Sequence, residues 1–240
     1  MNEREIILDF YKNDADAART ALARLDAGDH AAYIIGEWYF WRHTFKVNHA
    51  CLIPRPDTER LVDIAIRDLP KDSVFVDFCT GSGCVALSVL YDRPDLRAIA
   101  IDLSDEALDA AMENAKLLGL SERVEFLCAD LLTQDPLGKR LFPAIISNPP
   151  YIRTSVISDY PELSCEPMIA LDGGEDGLVF YRRFAENFAK NLENGGKFIF
   201  EIGFDQREDI TKIAEDHGFS CAVIKDYGSN DRVAVLNKTL

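Results

Sequence analysis

The sequence predicts an α/β fold, a mostly parallel sheet with helices on both faces, preceded by a short helical region and a β-hairpin. Two observations carry this expectation. From Ser73 onward short apolar runs alternate with amphipathic stretches, as strands alternate with crossover helices in a parallel sheet. The first apolar run also leads into a glycine-bearing turn, Asp77-Phe78-Cys79-Thr80-Gly81-Ser82-Gly83, of the kind that opens a nucleoside-binding crevice at the strand ends.

Element by element, Glu3 to Lys12 and Ala15 to Leu25 are rich in Ala, Leu and Arg and read as helices, broken at Gly28-Asp29. The aromatic run Trp38-Tyr39-Phe40-Trp41, followed by Phe45-Lys46-Val47, is β-prone, and Leu52-Ile53 before Pro54 is expected to pair with it as a hairpin. The domain boundary falls near Asn48, giving a helical region over 1–48 and a second domain over 49–240. Val74-Phe75-Val76 is a buried strand, and a helix follows from Cys84 to about Tyr91. Ala98 to Ile101 forms the next strand, ending at Asp102.

Ser104 is suited to cap a helix, with Asp105 and Glu106 favourably placed against its dipole. Leu108, Ala111, Ala115 and Leu118 make its buried stripe, and Gly119 suits its C-terminal end. Val124, Phe126 and Cys128 alternate as a strand before Asp130. The run ending at Ser147 is a fourth strand and Gly196 to Ile202 a fifth, after a helix from about Gly177 to Leu192. A helix over Gln206 to His217 and strands near Phe219–Ile224 and Arg232–Leu236 complete the chain.

Composition narrows the function classes. A formal charge of -15 argues against a surface that collects nucleic-acid phosphates, because such surfaces gain affinity by releasing counterions from Lys and Arg contacts. Cysteines at 51, 79, 84, 128, 165 and 221 show neither a CxxC pair nor zinc spacing with histidine, and the dispersed His30, His43, His49 and His217 indicate neither a metal site nor a triad. Several of these cysteines sit in apolar runs as small buried hydrophobes, which fits a reducing, cytoplasmic setting. No stretch approaches the roughly 20 apolar residues of a membrane span.

Gly81 and Gly83 allow close approach of backbone to a ligand, and Asp102 at the end of the second strand is placed to accept from ribose hydroxyls. A spacing of about 20 residues from glycine loop to acid also suits NAD. Asp77, ahead of the loop, favours S-adenosylmethionine instead: an acid there repels an anionic pyrophosphate but not a cationic sulfonium with its amino group. Asp130 and Asn148 end the third and fourth strands on the same sheet edge.

Asn148-Pro149-Pro150-Tyr151 follows the fourth strand. Two successive prolines supply no N–H and hold the preceding residues extended, leaving backbone carbonyls and the Asn148 amide with few internal partners. A rigid pair of acceptors fixes the plane of an amide or exocyclic amino group. With the glycine loop, this tetrapeptide resembles the class I S-adenosylmethionine-dependent amino-methyltransferases, of Rossmann-like fold. Three further segments, Leu52-Ile53-Pro54-Arg55-Pro56-Asp57-Thr58-Glu59, Glu166-Pro167 with Ala170-Leu171-Asp172-Gly173-Gly174 and Asp176-Gly177-Leu178, and Asp226-Tyr227-Gly228 with Asp231-Arg232, are similar to the HemK/PrmC family. That family methylates N5 of the glutamine in the Gly-Gly-Gln motif of peptide chain release factors.

The resemblance implies S-adenosyl-L-methionine contacts from Cys79, Thr80, Gly81, Ser82, Gly83, Asp102, Asp130, Leu131 and Asn148. It implies a catalytic glutamine site over Asn148, Pro149, Pro150 and Tyr151, and a release factor as protein substrate without direct nucleic-acid binding. It also places the Arg55 to Glu59 loop beside the active-site mouth, where residue chemistry alone allows a local Arg55–Glu59 ion pair. Tyr151 either packs over the target amide or caps the crevice. Cys79 stands where the family usually has Gly, and the N-terminal helical region is shorter than the family's usual substrate-recognition bundle. An adenine-N6 methyltransferase and a cofactor-binding protein without activity are the alternatives.

Overall fold

The computed structural model describes residues 1–239, so Leu240, the last residue of the expected second domain, lies outside the described residues. Helix α1 (Glu3–Phe10) begins in a reciprocal cap: Asn2 Oδ1 accepts from Glu5 N and the Glu5 carboxylate accepts from Asn2 N, both at 2.9 Å. Helix α2 (Ala15–Asp26) is capped by Asp14, and a short α3 (Ala31–Ile35) follows that the sequence did not announce. Ile7, Ala21, Ala31 and Ile34 form the small core of these three helices.

The hairpin differs from expectation. Its strands β1 (Glu37–Phe40) and β2 (His43–Lys46) both come from within the aromatic stretch, with Trp38 opposite Phe45, while Leu52-Ile53 stays outside any strand. A two-residue turn in which Trp41 accepts a left-handed φ of 57° closes this pairing locally, at less loop entropy than a pairing with residues 52–53 would require. The second departure is helix α4 (Glu59–Asp68), which buries Leu61, Val62, Ile64 and Ala65.

The main sheet comprises β3 (Val74–Phe78), β4 (Arg97–Asp102), β5 (Val124–Cys128), β6 (Phe142–Ser147), β7 (Leu192–Glu201), β8 (Phe219–Lys225) and β9 (Asp231–Lys238), in the order β5-β4-β3-β6-β7-β9-β8. The first five are parallel and β9 runs antiparallel between β7 and β8. Helices α5 (Cys84–Asp92), α6 (Asp105–Leu117), α7 (Val179–Phe188) and α8 (Arg207–Asp216) occupy the connections. The fifth expected strand starts earlier than read, at Leu192, because α7 stops at Phe188 and a 3-10 turn, Ala189–Asn191, intervenes.

Alternation along the strands divides the core in two. Val76, Phe78, Ile99, Ile101 and Ile145 face α7 and α8, meeting Phe184, Phe188, Ile210 and Ile213. Phe75, Ala98, Ile146 and Ile199 face the other way, onto Leu61 and Ile64 of α4 and Val85 and Val89 of α5. Both faces are therefore buried, which is why these strands read as continuous apolar runs. The outermost strand β5 is only partly covered, and its Cys128 is exposed, unlike the buried Cys51 and Cys84.

The chain reverses its direction of winding between β3 and β6, where a ligand crevice is expected at the carboxyl edge. Ser147 secures this point, donating its hydroxyl to Phe78 O at 2.7 Å. One buried side chain ties the hairpin to this region: Asn114 Oδ1 accepts from Lys46 N at 2.7 Å, and its Nδ2 donates to Lys46 O and to Ser82 O, both at 2.9 Å.

Candidate active site

A cleft of about 680 Å³ opens at that carboxyl edge. One wall is the glycine loop and the ends of β4 and β5, with Cys79, Thr80, Gly81, Ser82, Asp102, Asp130 and Leu131. The facing wall comes from the segment after the hairpin, with Leu52, Pro54, Arg55 and Thr58, and Asn148 and Pro150 lie at the join. The residues expected from the sequence thus converge on one cavity, with three exceptions. Gly83, Pro149 and Tyr151 are not part of its lining.

The loop's conformation explains its composition. Cys79, Gly81 and Gly83 have φ of 57°, 55° and 77°, the left-handed region in which a side chain costs about 1 kcal/mol or more. Cys79 accepts that strain while its side chain packs on the core. A Cβ on Gly81 would meet open space, whereas one on Gly83 would lie 3.0 Å from Leu87 and 3.1 Å from Ala111. Gly83 therefore serves the packing of α5 against α6.

Two carboxylates organise the loop. Asp102 Oδ2 accepts from Gly81 N at 2.7 Å and its Oδ1 from Ser104 N at 3.1 Å, leaving further lone pairs on both oxygens. Burial raises its pKa, and those backbone donors oppose the rise. Asp77, 1 % exposed, accepts from the Thr80 hydroxyl at 2.6 Å. Burial, reinforced by Asp102, pushes its carboxyl up to about 7. Asp130 is more accessible, and its carboxylate accepts from Leu132 N at 2.9 Å and the Thr133 hydroxyl at 2.8 Å.

These residues fit a cationic nucleoside better than a pyrophosphate. Among the described residues lining the cleft the only cation is Arg55, and it is neutralised by an ion pair with Glu166. The acids Asp77, Asp102, Asp130 and Asp172 make up the remaining charge of the lining. The Cys84 thiol adds apolar surface: burial pushes it up to about 12, so it stays neutral.

Asn148 closes the floor. Its Nδ2 donates to the Thr58 hydroxyl at 3.2 Å, and no described residue donates to its Oδ1. Pro149 and Pro150 are buried, and Tyr151 turns away from the cleft to place its hydroxyl 3.3 Å from Glu201 Oε1. Neither reading of Tyr151, over the target amide or capping the crevice, matches that direction. The chain continuing from it is clamped by the glycine-rich segment: Ile152 N donates to Leu171 O at 3.0 Å and Gly173 N to Ile152 O at 2.8 Å. A Cβ on Gly173 would come within 2.7 Å of Tyr151 Cα.

The local Arg55–Glu59 pair does not form. Arg55 reaches Glu166, whose other oxygen accepts from Ile53 N at 3.1 Å, and Glu59 accepts from Trp41 N at 2.9 Å. Arg232, on β9, approaches Asp57 at 3.4 Å and Asp226 at 3.3 Å, so the C-terminal hairpin braces the 3-10 turn Pro56–Thr58. Sequence reasoning did not single out Thr58, which holds Asn148, nor Glu201 behind Tyr151 and Arg232 beside Asp57. Thr58 and Arg232 lie inside quoted motifs, and the spacing of those motifs gives no sign that Arg232 reaches Asp57.

Residues 60–160 match the family described as Methyltransferase small domain. Release factor glutamine methyltransferase of Thermodesulfovibrio yellowstonii is 42% identical over 214 residues, covering 86% of this chain and 76% of that protein. The protein of the same description from Caulobacter vibrioides is 38% identical over 240 residues, covering 96% and 82%. A methyltransferase of Pyrococcus furiosus matches in fold, with a TM-score of 0.62 at 18% identity, over 82% of this chain and 90% of its own. The chain belongs to the release factor glutamine methyltransferase family, class I enzymes whose methyl donor is S-adenosylmethionine.

Proposed function

We propose that this protein methylates the side-chain amide N5 of the glutamine in the Gly-Gly-Gln motif of a peptide chain release factor. The observation that carries the proposal is the undonated Asn148 Oδ1 at the cleft floor, held by a side chain whose other end is committed to Thr58. Residues 49–240 supply the methyltransferase and residues 1–48 a docking region for the protein substrate. Among the described residues no helix is long and apolar enough to cross a membrane. The reaction belongs in the cytoplasm, where release factors act.

A carboxamide nitrogen is a weak nucleophile because its lone pair is delocalised, so orientation supplies much of the rate. In the proposed arrangement Asn148 Oδ1 accepts one amide hydrogen, and the carbonyl of Pro149, which stands between the lining residues Asn148 and Pro150 and accepts no bond from the described residues, takes the other. Positive charge growing on nitrogen then meets preorganised acceptors. Asp102 and Asp130 hold the donor's nucleoside, Asp77 offsets its positive charge, and Cys79 to Ser82 with Leu131 form its walls. When bound, S-adenosylmethionine supplies an electrophilic methyl group. No strong base is needed, because the methylated nitrogen loses its proton to water or to the same acceptors.

The adenine-N6 alternative presents an equally planar amino group, but its substrate has to be extracted from a base stack against a formal protein charge of -15. Incubation with purified unmethylated release factor and S-adenosylmethionine, followed by peptide mass spectrometry, tests the proposal. One methyl group on the Gly-Gly-Gln glutamine is expected. An unmodified release factor at saturating cofactor overturns it.

A further inference from the structure

Behind Asn148 lies a buried polar group that the proposed mechanism leaves unused. Glu201, at the end of β7, is 1 % exposed. Its Oε1 accepts from the Tyr151 hydroxyl, and its Oε2 has no hydrogen-bond partner among the described residues. The Thr58 hydroxyl, itself 2 % exposed, closes no hydrogen bond to this carboxyl group but lies near enough to favour its charged form. Thr58 is also the acceptor for Asn148 Nδ2.

The chemistry of this chain of groups is directional. A hydroxyl has one hydrogen to give, whereas a carboxylate only accepts and a carboxylic acid can donate. With Glu201 ionised, the Thr58 hydrogen, which has no acceptor among the described residues, is drawn toward the carboxylate, and its lone pairs stay with Asn148 Nδ2. The Asn148 oxygen is then left to the cleft. With Glu201 protonated, the acid can donate to Thr58, and the freed Thr58 hydrogen can satisfy Asn148 Oδ1 instead. The amide then turns its NH2 toward a substrate that also presents NH2, donor against donor.

We propose that Glu201 is a positioning residue that sets the polarity of Asn148 through Thr58, so that its ionised form prepares the site for an amide donor. The inference rests on the reading of Asn148 as an acceptor for the substrate amide. Burial raises Glu201 to about 7, with Thr58, Arg232 and Tyr151 holding the rise down and Asp57 adding to it, so both forms are populated near neutrality. Facing it are Tyr151 after β6, Arg232 from β9, Asp57 and Thr58 from the 3-10 turn, Tyr181 from α7 and Cys84 from α5.

The test has two arms. In the first, asparagine side-chain nitrogens are isotopically labelled and the Asn148 resonance is assigned by its absence from N148A. Between about pH 5.5 and about pH 8.5 the Asn148 amide of the substrate-free protein is expected to titrate with a midpoint near that of Glu201. The titration disappears in E201Q and T58V and persists in T58S, which keeps the hydroxyl. A pH-invariant amide in the wild type, or an unchanged titration in E201Q, overturns the proposal.

In the second arm, kcat is measured with a release factor at saturating S-adenosylmethionine, which removes the contribution of Asp77. E201Q is expected to lose about tenfold in kcat at pH 8 and its pH dependence, with cofactor affinity changed by less than about twofold. An E201Q profile matching the wild type overturns the proposal, since a role in packing alone leaves that profile in place. If the wild type transfers no methyl group to the release factor, the substrate reading fails, and the resonance titration still decides the role of Glu201.

Discussion

Gly81 donates its backbone N–H to Asp102 Oδ2 across 2.7 Å, joining the loop after β3 to the end of β4. The same carboxylate thus holds the loop's shape and faces the cavity. Asp102→Ala removes both, and hydrogen bonds to a charged group are each worth about 1.5–3 kcal/mol. Calorimetric affinity for S-adenosylmethionine is expected to fall by about 10- to 100-fold. Asp102→Asn, with one accepting oxygen instead of two, falls between.

Asp77 is expected to make cofactor binding pH-dependent. A cationic ligand favours its ionised form, so affinity is expected to rise as pH rises through about 7, the pKa of the buried carboxyl. Below that point binding releases a proton, visible as a difference between calorimetric enthalpies in buffers of unlike ionisation enthalpy. The ligand-free protein shows the opposite trend. From its ordinary value of 3.8 up to about 7, folded Asp77 keeps a proton that the unfolded chain has lost, so stability falls as pH rises. Glu201, raised from 4.5 to about 7, adds to the same decline. Thermal melts of Asp77→Asn are expected to show a shallower decline between about pH 5 and about pH 8.

Gly173→Ala places a methyl group where Tyr151 Cα and the Pro150 carbonyl leave no room, at 2.7 Å and 2.9 Å. Both obstacles are backbone, so the tetrapeptide itself has to shift. A loss of about 2–4 kcal/mol in urea denaturation is expected. In protein that remains folded, kcat should fall more than cofactor affinity, because the displaced tetrapeptide is the proposed glutamine site.

The Arg55–Glu166 pair is asymmetric: the Arg55 side chain is 35% exposed and the Glu166 side chain 1%. Arg55→Ala leaves a buried carboxylate with one N–H donor, from Ile53, and is expected to cost about 2–4 kcal/mol. Glu166→Gln retains an acceptor for Ile53 N and leaves Arg55 access to water, at a cost of about 1 kcal/mol. Chemical denaturation of the two variants checks the order. The opposite order would show that the pair contributes little.

The order of strands and helices from Ser73 onward was legible because burial on both sheet faces writes itself as apolar runs. The convergence of Asp102, Asp130 and Asn148 followed from their positions at strand ends. Helix α4 escaped because Arg-Pro-Asp-Thr-Glu reads as a loop, and its apolar positions 61, 62, 64 and 65 are compressed into little more than one turn. The hairpin was misjudged because aromatic β-propensity does not fix register, which here depends on Trp41 accepting a positive φ. The direction of Tyr151 and the Thr58–Glu201 arrangement depend on contacts between residues far apart in the chain. Such contacts leave no periodic trace.

Asn114 has its oxygen on the hairpin's Lys46 and its nitrogen on both Lys46 and the loop residue Ser82. A carboxamide is a flat, stiff plate, and this one has both edges fastened. The division near residue 48 is therefore one of chain order and not of mechanics. A protein docked on the first three helices, as proposed, would find the adjoining hairpin fastened through one six-atom plane to the backbone of the glycine loop.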